Sequence, residues 1–140
     1  MPKPKTRPRT VWQEEDFEIK PSTIPGAGRG LFAKKLIFPD DTIGPYLGKV
    51  LSDRQAEREP YLGSLYLVWV CKDCWIDGAT GGNYTRFINH HGKRPNAELI
   101  VTTRWKKARI GAKRKIRPGE EIFFDYGKDY WEALALDPEG

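Results

Sequence analysis

Two polar side chains stand next to each other in an otherwise apolar stretch of the chain. Asn89 and His90 follow Phe87 and Ile88. An Asn amide and a neutral His ring each carry hydrogen-bond donor and acceptor atoms. Burying such groups without partners is costly, so they need either backbone partners or a bound ligand. Taken alone, the stretch is as consistent with a buried turn as with a ligand site.

Glycines occupy every second position earlier in the chain, at Gly26, Gly28 and Gly30, with Arg29 between the last two. This spacing is not the G-x-G-x-x-G of a dinucleotide-binding fold, and neither a strand before it nor a helix after it is indicated. Because glycine has no Cβ, the segment allows a ligand to approach the backbone closely. A glycine-rich hairpin turn has the same appearance, so both interpretations stay open.

Other residue types that could do chemistry are sparse. Tyr46, Phe124 and Tyr126 are each, taken singly, typical of strand packing. Cys71 and Cys74 form a Cys-x-x-Cys pair inside an apolar, strand-like run without a second pair, which favours structural thiols over zinc or redox chemistry. The sequence contains no Gly-x-Ser-x-Gly motif and no cluster of His, Cys and carboxylates at metal-ligand spacing.

The composition indicates one globular domain. The chain has 140 residues, of which 39% are hydrophobic and 12% aromatic, enough for a single core. The formal charge of +5 weakly favours an acidic partner. No run approaches the roughly 18 apolar residues of a membrane span, and no apolar leader is present. We therefore expect an intracellular protein without a membrane partner.

Three regions are predicted along the chain. Residues 1–13 alternate proline with basic residues, which form neither a helix nor a central strand, so we expect a flexible tail. Such a tail could contact nucleic acid weakly through phosphates. A folded domain over 14–128 follows, and then a C-terminal segment, 129–140, that packs on the domain.

Short strand patterns between glycine and proline turns run through the domain. Leu65–Val70 is predicted as a buried strand. Ser52 with Gln55 forms a capping box, which predicts a short helix over 53–59, ended by Pro60. The fold class predicted is mostly β, with several small sheets and short helices.

Four segments, in order, resemble the signatures of the SET-domain protein-lysine methyltransferases. They are Gly28–Ala33, Tyr46-Leu47-Gly48, Arg86–His90 with Pro95-Asn96, and Gly119–Tyr126. Each is weak alone, but four in the family's order are specific, and the resemblance as a whole extends from Ile24 to about Trp131. The resemblance implies the SET fold, whose closing segment passes beneath the central loop in a C-terminal pseudoknot, a rare exception to unthreaded topology.

The resemblance also implies S-adenosylmethionine as the methyl donor and assigns roles by position. The cofactor-binding residues implied are Gly28, Arg29, Gly30, Tyr66, Arg86, Asn89 and His90. The catalytic residues implied, which would line the target-lysine channel, are Tyr126, Tyr46 and Phe124. No metal is expected.

The chain departs from the family pattern after the central Asn. Where the family often has His-Ser-Cys, this chain has His90-His91-Gly92, and no cysteine follows. A zinc site after the domain is therefore not expected, and Tyr130 and Trp131 are the candidates to cover the lysine channel. The sequence is similar to small stand-alone SET proteins that lack the flanking zinc modules.

The expected function is S-adenosylmethionine-dependent protein-lysine N-methylation. We expect two or three methyl groups to be added. The family has either Phe or Tyr at the position of Phe124, and a phenylalanine cannot hold the water that would block a methylated amine. The expected substrate is a histone or another basic DNA-associated protein, in the nucleus of a eukaryote or the cytoplasm and nucleoid of a bacterium. The alternative is an inactive SET-fold module that binds nucleic acid or protein, but retention of Asn89, His90 and Tyr126 favours the enzyme. A monomer and a homodimer are both compatible with the sequence.

Overall fold

The computed structural model describes residues 8–91 and 93–124, and within them the chain forms three small sheets. The strands are β1 (Phe17–Pro21), β2 (Arg29–Ala33), β3 (Thr42–Pro45), β4 (Lys49–Leu51), β5 (Leu67–Cys71), β6 (Cys74–Asp77), β7 (Asn89–His90), β8 (Ala97–Thr102), β9 (Lys107–Ala112) and β10 (Phe123–Phe124). The helices are α1 (Asp53–Ala56) and the 3-10 turns Glu14–Asp16, Tyr84–Phe87 and Thr103–Trp105. The mostly β fold class is confirmed. No helix in the described ranges is long and apolar enough to cross a membrane.

A two-stranded sheet presents the glycine segment. Strands β1 and β2 pair antiparallel, and Pro21 lies opposite Arg29 at the end of the hairpin next to the loop. The loop between them passes through Gly26 and Gly28, whose φ angles of +78° and +73° favour glycine. The loop therefore delivers Arg29 directly onto a strand whose next four residues are buried.

A three-stranded sheet in the order β4-β6-β5 packs against α1. The predicted capping box is present, since the Ser52 side chain accepts a hydrogen bond from the Gln55 backbone and the Gln55 side chain accepts one from the Ser52 backbone. The helix ends at Ala56 rather than at residue 59. Pro60 has no N–H to donate and restricts the residue before it, so the predicted last turn does not form.

The third sheet has the order β3-β9-β8-β10-β7 and contains the threading that the resemblance predicts. Strand β10 lies between β7 and β8 and runs parallel to both. Phe124 is opposite His90 on one side and Ala97 on the other. The connection between those two partners, residues 91–96, therefore crosses over β10, and we call it the arch.

Asn96 holds the closing segment under the arch. Its buried side-chain amide donates to the Glu121 carbonyl at 2.8 Å and accepts from the Phe123 N–H at 2.8 Å. Its backbone N–H donates to the Phe123 carbonyl at 3.1 Å, and the His91 N–H donates to the Phe124 carbonyl at 3.2 Å. Both ends of the arch are thus hydrogen-bonded to β10.

The main core lies among these sheets and anchors the site segments. Leu31, Ile88, Ile122 and Phe124 are all at most 1% exposed and belong to one cluster. Ile88 directly precedes Asn89, so packing of the Ile88 side chain in the core fixes the backbone from which the Asn89 side chain extends.

Residues before β1 also contact the sheet. The buried Asp41 carboxylate accepts from the Thr10 N–H at 2.9 Å and from the Trp12 indole N–H at 3.1 Å. The Trp12 N–H donates to the Thr42 carbonyl at 2.9 Å. Part of the segment predicted as a tail is therefore bonded to β3.

Candidate functional site

A cavity of about 490 Å³ opens between the glycine loop and the segment around Asn89. Its lining residues are Gly26, Ala27, Gly28, Arg29, Leu65, Tyr66, Arg86, Phe87 and Asn89. Five of the seven residues predicted to bind the cofactor are among them: Gly28, Arg29, Tyr66, Arg86 and Asn89. Residues from two of the four signature segments, Gly28–Ala33 and Arg86–His90, therefore face one space together with Tyr66.

Asn89 joins two of those segments to the closing one. Its side-chain Nδ2 donates to the Arg29 carbonyl at 2.9 Å and to the Glu121 carboxylate Oε2 at 3.2 Å. The amide oxygen accepts no hydrogen bond from the described residues, while the residue lines the cavity. That oxygen is placed to accept a donor group of a ligand.

The 3-10 turn Tyr84–Phe87 positions Asn89 from the other side. The Tyr84 hydroxyl donates to the Ile43 carbonyl at 2.7 Å, and the Thr85 hydroxyl donates to the Pro45 carbonyl at 3.0 Å. Burial, with smaller contributions from the nearby Glu14 and other carboxylates, raises the pKa of Tyr84 to about 12. The hydroxyl therefore stays protonated and keeps the turn fixed to β3.

Glu121 is a site residue for which sequence reasoning assigned no role. Its carboxylate is 6% exposed and accepts from the Ser22 hydroxyl at 2.7 Å and from the Thr23 N–H and hydroxyl at 2.7 and 2.6 Å. Together with the bond from Asn89, these contacts tie the start of the glycine loop to the closing segment. The sequence signals were its place in the closing signature segment and its position between a turn and the apolar Ile122.

Gly30 lies against the same carboxylate. A Cβ at this position would be 2.3 Å from Glu121 Oε2 and 3.4 Å from Asn89 Nδ2. Any larger residue would force the carboxylate or the strand to move. Gly30 thus supports the cavity from behind rather than lining it.

Tyr46 is connected to the cavity by a hydrogen bond to Tyr66, which lines it. The Tyr46 ring is buried, and its hydroxyl donates to the Tyr66 carbonyl at 2.5 Å. The Arg86 guanidinium lies over the rings of Tyr66 and Phe87, at 5.6 and 4.9 Å from their centroids. The predicted channel residue and the predicted cofactor residues therefore form one contact group with aromatic and cationic character.

The remaining predicted site residues are placed only in part. His90 is half-buried and paired with Phe124, which is fully buried in the core. Tyr126, Tyr130 and Trp131 lie outside the described residues. The roles predicted for these residues remain predictions.

A larger and more open depression of about 680 Å³ includes Glu121 in its lining. It is lined by Thr23, Ile24, Pro25, His91, Arg94, Asn96, Arg114, Gly119, Glu120, Glu121 and Phe123. We consider the smaller cavity the better candidate, because it contains the predicted residues and the glycine loop. The two spaces are linked by the hydrogen bond from Asn89, which lines the smaller one, to Glu121, which lines the larger one.

The two cysteines face each other across the β5–β6 hairpin. Burial, together with the neighbouring Cys71 thiol, raises the pKa of Cys74, which disfavours a thiolate ligand at neutral pH. Within residues 8–91 and 93–124, no group of three His, Cys, Asp or Glu side chains is arranged to hold a metal ion.

Comparison with known proteins identifies the family to which this arrangement belongs. The sequence matches the profile of the SET domain over residues 28–127, which includes all four signature segments. The chain belongs to the SET domain family. The resemblance inferred from the motifs is therefore confirmed.

Relatives of this SET domain are long proteins. The chain is 42% identical over 105 residues to histone-lysine N-methyltransferase set1 of Dictyostelium discoideum, which covers 69% of this chain and 7% of that protein. It is 37% identical over 107 residues to histone-lysine N-methyltransferase Set2 of Drosophila melanogaster. That match covers 71% of this chain and 5% of the Drosophila protein. The chain thus spans less than a tenth of the length of either relative.

Solved structures agree with the fold. A humanized mutant of the Chaetomium thermophilum Polycomb Repressive Complex 2, bound to an inhibitor, matches with a TM-score of 0.68 and 27% identity. The match covers 79% of this chain and 15% of that one. The five-stranded sheet and the arch described above therefore belong to a SET domain.

Proposed function

We propose that this SET domain transfers methyl groups from S-adenosylmethionine to lysine side chains of a protein. The observation that carries the proposal is the meeting of the glycine loop, the central segment and the closing segment at Asn89. The relatives named as histone-lysine methyltransferases support it.

The residues around the cavity fit such a donor. A volume of about 490 Å³ lies within the roughly 300–1,000 Å³ of small-molecule sites. Nothing lies within 4 Å of a Cβ built at Gly26 or Gly28, so the loop borders open space that a ligand can fill. The Asn89 amide oxygen and the Arg86–Tyr66 pair add a polar acceptor and a flat aromatic surface. The bound donor would supply a methyl group on a sulfonium centre.

The protein's own residues would prepare the target lysine. A free lysine has a pKa of about 10.4 and must lose a proton before its amine can attack. An aromatic, water-poor channel next to a positive charge lowers that pKa through desolvation and like-charge repulsion. Tyr46 is suited to be a wall of that channel, because its hydroxyl is already bonded to the Tyr66 carbonyl.

Alignment rather than covalent chemistry would supply most of the acceleration. We assign the orienting hydroxyl to Tyr126 and the control of methyl number to Phe124. The substrate class that fits the relatives' names is a histone, which would place the protein in contact with chromatin. Other basic DNA-associated proteins are also candidates.

Donor binding tests the site separately from transfer. Asn89→Ala removes the amide that joins the three segments, so calorimetry should show donor affinity weaker by about 1–3 kcal/mol, or roughly 5- to 150-fold. Circular dichroism of the same variant checks that the fold is retained. Equal donor affinity in a folded Asn89→Ala protein would place the site elsewhere.

A further inference from the structure

A long basic run includes β9 and both of its flanks. Between Leu99 and Gly119 the chain has no Asp or Glu. The whole sequence, in contrast, has 19 Asp and Glu residues and 24 Lys and Arg residues. The cations of this run are Arg104, Lys106, Lys107, Arg109, Lys113, Arg114, Lys115 and Arg117. A one-sign surface of this kind attracts polyanions.

The turn between β8 and β9 adds an exposed indole to this charge. Trp105 is 63% exposed, and the Arg104 guanidinium lies 5.0 Å from its ring centroid. Lys106 follows in the left-handed region with φ +51°, so the chain turns sharply and Lys107 begins β9. We call Arg104–Lys107 the basic tip.

The basic tip is not neutralised within the described residues. The ion pair that occurs in the basic run joins Arg114 to Glu120 at 3.4 Å, at the far end of β9. Arg104, Lys106 and Lys107 make no ion pair with a described carboxylate. The tip is also separate from the candidate site, because none of its residues lines either cavity.

We propose that the basic tip binds nucleic acid. Its cations would contact the phosphodiester backbone, and Trp105 would stack on an unstacked base. A plain basic surface explains attraction to any polyanion, whereas an exposed indole beside the cations adds affinity for a ligand with flat aromatic groups. At about 3.3 Å per residue, the six residues of β9 place Lys113 about 20 Å from the tip, so a backbone could extend from one cation group to the next.

Fluorescence anisotropy with the full chain tests this surface. The probes are a labelled single-stranded 20-mer, its duplex and poly-glutamate of similar charge. The tip variant combines Arg104→Gln, Lys106→Gln and Lys107→Gln. A charge-matched control combines Lys35→Gln, Arg54→Gln and Arg58→Gln, all exposed cations elsewhere. A third variant neutralises Lys3, Lys5, Arg7 and Arg9 in the N-terminal segment.

The tip variant should bind both nucleic acids about tenfold or more weakly at about 0.1 M salt, with the slope of log affinity against log salt reduced by about 2–3. The control should stay within about threefold of the parent. Trp105→Ala should weaken single-strand binding about fivefold or more and duplex binding less, because only an unstacked base offers its face.

Three results would overturn the proposal: equal losses in the tip and control variants, no change in single-strand affinity with Trp105→Ala, or loss of binding only when the N-terminal cations are neutralised. Equally tight, tip-dependent binding of poly-glutamate would assign the surface to an acidic polypeptide instead. No methyl donor is present, so the outcome is independent of the transferase activity.

Discussion

Single residues at this site act mainly by holding one another in place. The Glu121 carboxylate accepts hydrogen bonds from Ser22, Thr23 and Asn89, and the absence of a side chain at Gly30 leaves it room. Asn89 in turn bonds the Arg29 carbonyl. The geometry of the glycine loop therefore depends on a carboxylate that need not touch a ligand.

Glu121→Gln should lower both stability and donor affinity. The variant has nearly the same shape, but its amide NH₂ would face the N–H and hydroxyl donors that the carboxylate accepts. We expect about 1–3 kcal/mol less stability in urea unfolding, because a buried donor is left unsatisfied. Donor affinity should fall as well, since the loop loses its anchor.

Glu120→Gln is the matched control. Glu120 carries the same side chain one position earlier, but it is partly exposed and pairs with Arg114 at the surface. Such a pair contributes about 0–1 kcal/mol. If the two variants lose the same stability and the same donor affinity, the positioning role of Glu121 is wrong.

Phe124→Tyr should change how many methyl groups are added. A tyrosine hydroxyl at this position could hold a water in the space that a methylated amine needs in order to turn, and a phenylalanine cannot. One hydrogen bond, about 0.5–1.5 kcal/mol, is enough to change a product ratio up to roughly tenfold. Mass spectrometry of a methylated peptide should show two or three methyl groups with the parent protein and mainly one with the variant.

The first transfer should be largely unchanged in Phe124→Tyr. The position is fully buried, so a thermal melt must accompany the assay to show that the added hydroxyl is tolerated. A parent enzyme that stops at one methyl group, or a folded variant with the parent's product distribution, would contradict the argument.

Among the secondary-structure elements, the arch and β10 form the unit that holds the closing segment in place. Strand β10 has only two residues, and its parallel partners come from segments more than 25 positions earlier in the chain. So short a strand depends on side-chain support, which Asn96 supplies with two buried hydrogen bonds.

Asn96→Ala should destabilise the fold strongly. The substitution leaves the Phe123 N–H and the Glu121 carbonyl without their side-chain partner, each at a cost of about 1–3 kcal/mol. Asn96→Asp should also destabilise at neutral pH, because a buried carboxylate would face the Glu121 carbonyl oxygen to which the amide donated. Urea unfolding that leaves both variants as stable as the parent would show that the arch does not clamp β10.

The sequence predicted most elements well but not their ends. Strand patterns and the Ser52 capping box are local features, so periodicity and side-chain type reveal them. The predicted C-terminal end of α1 was wrong because Pro60 also restricts the backbone of the residue before it, so the helix ends earlier than residue 59. The pairing of β10 between β7 and β8 is non-local, and only the resemblance to a known family predicted it.

For the whole molecule, sequence reasoning predicted residues that the fold brings together around one cavity, but not the carboxylate that holds them there. Asn89 and Arg29 are 60 positions apart and meet as the motif resemblance implies. Glu121 was missed because a Glu that follows Gly-Glu in a turn is usually solvated, and its burial depends on Ser22 and Thr23, nearly a hundred positions away. No local pattern encodes such a contact.

The basic run affects the whole molecule in a different way. Strand β9 packs on the core through Ala108, Ile110 and Ala112, and cations lie on the strand and its flanks. The same element therefore contributes both to packing and to the surface charge. Binding by the basic run and the proposed methyl transfer are separable properties, and each has its own variants.

The most direct test of the central claim is methyl transfer itself. The chain is incubated with S-adenosylmethionine carrying a labelled methyl group and with core histones and bacterial DNA-binding proteins. Labelled lysines are then mapped by mass spectrometry. Lysines labelled by the parent protein, nearly none by Tyr126→Phe although it still binds the donor, and few by Asn89→Ala are the predicted result. A parent protein that binds the donor but labels no lysine, or a Tyr126→Phe variant with unchanged turnover, would contradict the account.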